Sequence, residues 1–181
     1  ALGRAEILNP MQLLWINLVT DIFPALALAM DPPEFDVLKR PPRDPNAAIV
    51  SRSDYVKLIR ESGIITAGTL GVYGYSLLRY GPGPKASTNA FMSLTIAQFL
   101  HSYRSRSEHT SIFNLENRPS NRYLDTAVGL SALMQVLAVT LPPLRSLLRL
   151  SPVGAFDVIA ILAGAGLPFI ANEAIKGINK N

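Results

Sequence analysis

Apolar residues along this chain gather into long blocks, and short polar stretches rich in proline, glycine and charge separate them. A bilayer core about 30 Å thick is crossed by about 20 predominantly apolar residues in a helix. Five blocks approach that length, at about 11–30, 56–78, 86–103, 124–141 and 156–175. The pattern therefore predicts an all-α membrane protein, a bundle of about five transmembrane helices. The first block is the clearest: it runs from Met11 to Met30, with Pro10 at its mouth and Trp15 placed as an interfacial residue. Its single ionisable side chain is Asp21.

The other blocks differ in character. Ser51 and Asp54 stand in capping-box spacing before the second, whose first turns hold Lys57, Arg60 and Glu61. The third follows the turn-forming Gly81-Pro82-Gly83-Pro84 and carries Thr88, Asn89, Ser93, Thr95 and Gln98. A hydropathy scan ranks such a segment low, yet polar side chains of this kind face a bundle interior. The fourth stops at Pro142-Pro143, and the fifth contains Gly164, Gly166 and Pro168, which membrane helices tolerate where neighbours cover the backbone. One connection is long, from Asp31 to about Ser53, and is rich in proline and charge.

Composition agrees with a membrane location, since 49% of the 181 residues are hydrophobic and only 17% charged, against about a quarter charged in soluble domains. The net charge of +4 is scattered over separate connections and forms no face for nucleic acid. It reads instead as topology. Lys39, Arg40, Arg43, Arg52, Arg104, Arg106, Arg118, Arg122, Lys176 and Lys180 fall on one side, and Arg4, Arg79, Lys85, Arg145 and Arg149 on the other. The positive-inside rule places the long loop and the C-terminus in the cytoplasm. The absence of cysteine excludes disulfides, zinc-thiolate sites and a thiol nucleophile. His101 and His109 lack a metal-ligand pattern. The first residues do not have the order of a signal peptide, so the chain is expected to start within a longer polypeptide.

Candidate chemistry concentrates in the first block. Asn17, Thr20 and Asp21 are three and four positions apart, so on a helix they share a face. A carboxylate with amide and hydroxyl oxygens is the donor set of a hard cation such as calcium, completed by other helices, carbonyls or water. A charge at mid-membrane costs several kcal/mol, about 2.5–3.5 on insertion scales. Two readings of Asp21 remain: a cation or proton site, or a protonated acid bonded to a neighbour. Pro24 removes a helical hydrogen bond and frees carbonyls of the preceding turn, either as part of a site or as a simple kink.

The run Pro10-Met11-Gln12-Leu13-Leu14-Trp15-Ile16-Asn17-Leu18-Val19-Thr20-Asp21, continuing through Pro24-Ala25-Leu26-Ala27-Leu28, resembles the sixth transmembrane helix of P-type cation-transporting ATPases of the calcium-pump branch. Residues Pro32 to Arg43 resemble the family's loop between its sixth and seventh helices. The resemblance implies that the chain is a C-terminal transmembrane region spanning helices six to ten of an ATP-driven pump for a divalent cation, with calcium expected. It implies Asn17 and Asp21 as ligands, and Thr20 as a ligand where two ions are held. Gln98 stands where two-ion calcium pumps place an acidic ligand, so it is either a further metal-site residue or a packing amide, and a single-ion arrangement is expected. Ile22-Phe23 replaces a glycine of well-known calcium pumps, which suggests a tighter unwound turn.

The resemblance further implies partners and location. Membrane lipid surrounds the helices, upstream transmembrane helices complete the site, and loop 31–53 contacts the phosphorylation domain. ATP and magnesium are bound by cytoplasmic domains whose Asp-Lys-Thr-Gly motif does not occur in these 181 residues, so the segment by itself is not catalytic. A plasma-membrane location is expected. The alternative function is a stand-alone membrane interaction protein derived from a truncated pump, without transport.

Overall fold

The computed structural model describes residues 6–32, 48, 50–106 and 120–178. The proline-rich stretch with Lys39, Arg40 and Arg43 lies outside the described residues, as do Arg4, His109, Arg118, Lys180 and the Lys176 side chain. The described residues form α1 (Pro10–Ile16), a π-helical segment (Asn17–Ile22), α2 (Phe23–Ala29), α3 (Arg52–Tyr80), α4 (Pro84–Arg104), α5 (Arg122–Thr140), α6 (Pro142–Leu147) and α7 (Ala155–Ile178). No strand occurs among them.

Local chemistry sets the boundaries. Asn9 caps α1 by accepting from Gln12 N at 2.9 Å, and Gln12 Oε1 accepts from Asn9 N in return. Ser51 and Asp54 make the predicted reciprocal cap on α3. α3 ends where Gly81 adopts φ 76°, a conformation glycine takes without Cβ strain. Pro84 then opens α4 at a position whose N–H would have no helical partner. α5 stops before Pro142-Pro143 as expected, but the same prolines start the short helix α6, which the hydrophobic pattern missed. Proline marks a helix start as readily as a stop, because its φ is already helical.

Among the described residues three helices are long and apolar enough to cross a membrane: Pro10–Ala29, Arg122–Thr140 and Ala155–Ala174. The α3 and α4 helices, of 29 and 21 residues, are long enough and too polar to qualify. The reason lies in their packing. α3, α4 and α7 form one tight group, α1 through α2 pack along α5, and α4 touches both sets. α4 buries Ala86, Ser87, Thr88, Asn89, Ala90, Ser93, Thr95 and Ala97, so its small and polar side chains face helices. Many large apolar side chains are exposed instead, among them Leu14, Leu26, Leu78, Ile159 and Leu167. This polar-inside, apolar-outside arrangement suits lipid, where apolar burial between helices gives no drive and close packing and hydrogen bonds hold the bundle.

Small residues allow the closest approach between α3 and α7. A Cβ on Gly68 would lie 2.4 Å from Gly164 O and 2.4 Å from Pro168 Cγ, and one on Gly164 would lie 2.1 Å from Val72 Cγ2. At one end of this group Asp157 is fully buried, pairing with Lys85 at 2.8 Å and accepting from Tyr80 and Asn89. At the other end Arg104 Nη1 meets Glu61 at 2.7 Å, its Nε lies 3.6 Å from Glu173, and its Nη2 donates to Asn172 O. Arg104 is only 5% exposed. It belongs to the bundle interior, not to the loop charge with which the sequence pattern grouped it.

Candidate functional site

The sequence of the first apolar block explains where its π turn ends. In the i→i+5 ladder of Asn17–Ile22 the next donor, to Val19 O, would be the N–H of Pro24, which proline lacks. The ladder stops there and α-helix resumes at Phe23. Val19 O is taken by Ser131 Oγ of α5 at 2.6 Å. The expectation that Pro24 frees a carbonyl is met. The tighter unwound turn is not seen: the segment is wound, and more widely than an α-helix, as π turns at functional sites are.

Three of the four site candidates meet at this turn. Thr20 Oγ1 lies 2.7 Å from Ile16 O, 2.8 Å from Gln98 Oε1 of α4 and 3.0 Å from Asp21 Oδ1. A hydroxyl has one proton to give, so these contacts are alternatives. The cluster holds more acceptor oxygens than protons. Thr20 is 3% exposed, whereas Gln98 is half-buried and Asn17 and Asp21 are exposed. Asn17 stands apart at the start of the turn, with no side-chain hydrogen bond to the other three among the described residues.

Asn17 and Asp21 are exposed because α4 and α5 cover the other flank of this helix. Val19 and Ala27 pack with Phe99, Leu124 and Val128. Leu14, Leu18 and Ile22 are exposed like the two polar residues. Among the described residues no group of three or more His, Cys, Asp or Glu side chains gathers to hold a metal.

Several supporting residues were not anticipated. Trp15 Nε1 donates to Gln135 Oε1 of α5 at 2.9 Å, and Gln135 Nε2 contacts Met92 Sδ at 3.0 Å. The signal was present, since Ser131 and Gln135 are polar, four apart, inside an apolar block. At the far end of the helix, Asp31 accepts from Arg106 Nε and Nη2 and from Asn121 Nδ2. Asn121 Nδ2 also reaches Ala27 O at 3.1 Å. These contacts tie the end of α2 to the ends of α4 and α5.

Apolar helices of membrane-crossing length wrapped on a polar central helix define an all-helical integral membrane domain. Comparison with known sequences supplies the family. Residues 5–178 match the family described as cation transporting ATPase, C-terminus, and the chain belongs to it. The calcium-transporting ATPase of Bacillus subtilis (strain 168) is 37% identical over 172 residues, covering 93% of this chain and 18% of that protein. Calcium-transporting ATPase 1 of Bacillus cereus is 30% identical, with 99% and 22% covered. The human calcium-transporting ATPase type 2C member 1 is 30% identical, with 96% and 19% covered. The chain thus spans about a fifth of the length of the curated relatives it matches.

Proposed function

We propose that this chain serves as the membrane region of an ATP-driven cation pump and that Asn17, Asp21 and Thr20 form its share of the transport site, with Gln98 holding Thr20 from α4. The observation that carries the proposal is the oxygen cluster of Thr20, Asp21 and Gln98 on a π turn whose ladder Pro24 ends. An acceptor-rich cluster inside an apolar helix is short of positive charge, and a hard divalent cation supplies it. Calcium is the substrate in the relatives' names, and we assign it here.

The exposed flank with Asn17 and Asp21 is where further ligands arrive, from upstream helices of the same polypeptide. Five spans, the three apolar helices with α3 and α4, cross the membrane in this reading. The long loop lies in the cytoplasm of a plasma-membrane pump and contacts the phosphorylation domain, while ATP and magnesium are held by domains beyond this segment. Cation binding stabilises one arrangement of the membrane helices and so biases the cytoplasmic domains, which is coupling in the thermodynamic sense.

The test is Asp21→Asn in the full-length protein. It keeps shape and removes the charge, so cation-dependent phosphorylation from ATP is expected to be abolished with membrane insertion intact. Unchanged cation dependence rejects the assignment.

A further inference from the structure

A cleft at the end of the bundle where α5 leads through α6 toward α7 has no part in the transport reading. Its volume is about 610 Å³, and Pro84, Pro142, Arg145, Ser146, Arg149 and Ser151 help to line it. Arg145 and Arg149 therefore border one open cleft. Among the described residues neither arginine forms a salt bridge. The carboxylate at the start of α7 cannot neutralise them, because Asp157 is occupied by Lys85, Tyr80, Asn89 and Gly154 N.

The backbone under Arg149 is unusual. Leu150 N donates to Arg145 O at 2.8 Å and Arg149 N to Ser146 O at 3.2 Å, the paired bonds of a Schellman cap on α6. Arg149 occupies the left-handed position of that cap at φ 54°, the one positive φ of a non-glycine residue among those described. Glycine is the unstrained choice there, and strain that persists at a side chain lining a cleft points to use of that side chain. The turn is also held in place. Leu148 and Leu150 are buried, and Asn9 Nδ2 and Gln12 Nε2 both donate to Leu148 O, at 3.0 and 3.2 Å.

We propose that the Arg145–Arg149 cleft binds a phosphate oxyanion, presented by a phospholipid headgroup. Guanidinium forks match phosphate oxygens two at a time, and the Ser146 and Ser151 hydroxyls add donors at the rim. The cleft lies at the ends of two apolar helices of membrane-crossing length, hence at headgroup level. Leu141 and Leu147, 42% and 51% exposed, sit beside it for the acyl chains.

The test titrates dioctanoyl phosphatidylglycerol, and inorganic phosphate separately, onto full-length protein in neutral detergent, with bound adducts counted by native mass spectrometry. Arg145→Gln with Arg149→Gly is expected to weaken lipid binding at least tenfold, while Arg79→Gln, a control at an exposed arginine near the same end, leaves it unchanged. Arg149→Gly alone is expected to hold or raise the melting temperature, which separates lost binding from lost fold; if it lowers it, Arg145→Gln alone, which leaves the turn untouched, decides the matter. Equal lipid affinity in the wild type and the double variant overturns the proposal, as does an equal loss in Arg79→Gln. Inorganic phosphate binding as tightly as the lipid, and lost in the double variant, identifies a free anion as the source of the phosphate.

Discussion

Single hydrogen bonds carry unusual weight at the π turn, because in hydrocarbon no water replaces a lost partner. Ser131 Oγ covers the Val19 carbonyl that Pro24 leaves without a donor. Ser131→Ala removes that cover and is expected to lower stability by about 1 kcal/mol, within the range of interhelical hydrogen bonds in membranes. A thermal melt of the purified protein checks it, and a neutral result would mean that the carbonyl finds another donor. Thr20 is placed differently. Its hydroxyl has three oxygens in reach and one proton, so it links Gln98 to Asp21 without saturating either. The spacing of Asn17, Thr20 and Asp21 was legible along the chain because helical geometry is local. That Thr20 is buried on α4 while Asn17 and Asp21 stay exposed could not be read there, since it depends on which flank the neighbouring helices cover.

Among the elements, the first apolar helix and α4 form a complementary pair. The first helix is apolar enough to be found by hydropathy alone, and its π turn ends where an N–H is missing. Pro24→Ala restores that donor. The variant is expected to extend the regular ladder through the turn and to raise the melting temperature, since proline within a helix costs about 3 kcal/mol in soluble hosts. Cation-dependent activity of the full-length protein is expected to fall at the same time. A gain in stability with unchanged activity would separate the π turn from function. α4 is the opposite case: its sequence is too polar for a hydropathy criterion because nearly every neighbour it has is another helix. Serine, asparagine and alanine at Ser87, Asn89, Ala90, Ser93 and Ala97 let helix backbones come close, which bulky side chains would prevent.

Across the whole molecule, buried charge closes both ends of the α3, α4 and α7 group. Asp157 with Lys85 lies at one end and Arg104 with Glu61 and Glu173 at the other. Removing one member of such a set leaves an opposite charge buried, at a cost of about 3–5 kcal/mol. Arg104→Met is therefore expected to lower the melting temperature sharply, and adding Glu61→Met is expected to recover part of the loss. A double variant no better than the sum of its singles would show that the 2.7 Å contact carries no coupling. Arg106 works on the other side of the same helix end, fixing Asp31 at the exit of α2. Two arginines two residues apart thus serve two different helix groups.

The amino-acid sequence by itself determined the helical membrane class, the three helices apolar enough to cross a membrane, the cap at Ser51, the turn at Gly81-Pro84, and the polar positions of the first helix. Each of these depends on periodicity, length or backbone chemistry within a few residues. Only the tertiary structure decided that Gln98 meets Thr20, that Ser131 takes the Val19 carbonyl, that Arg104 lies inside the bundle, and that α6 turns Arg145 and Arg149 into one cleft. Those facts are set by how helices far apart in the chain share a fixed volume, and no local pattern encodes that sharing.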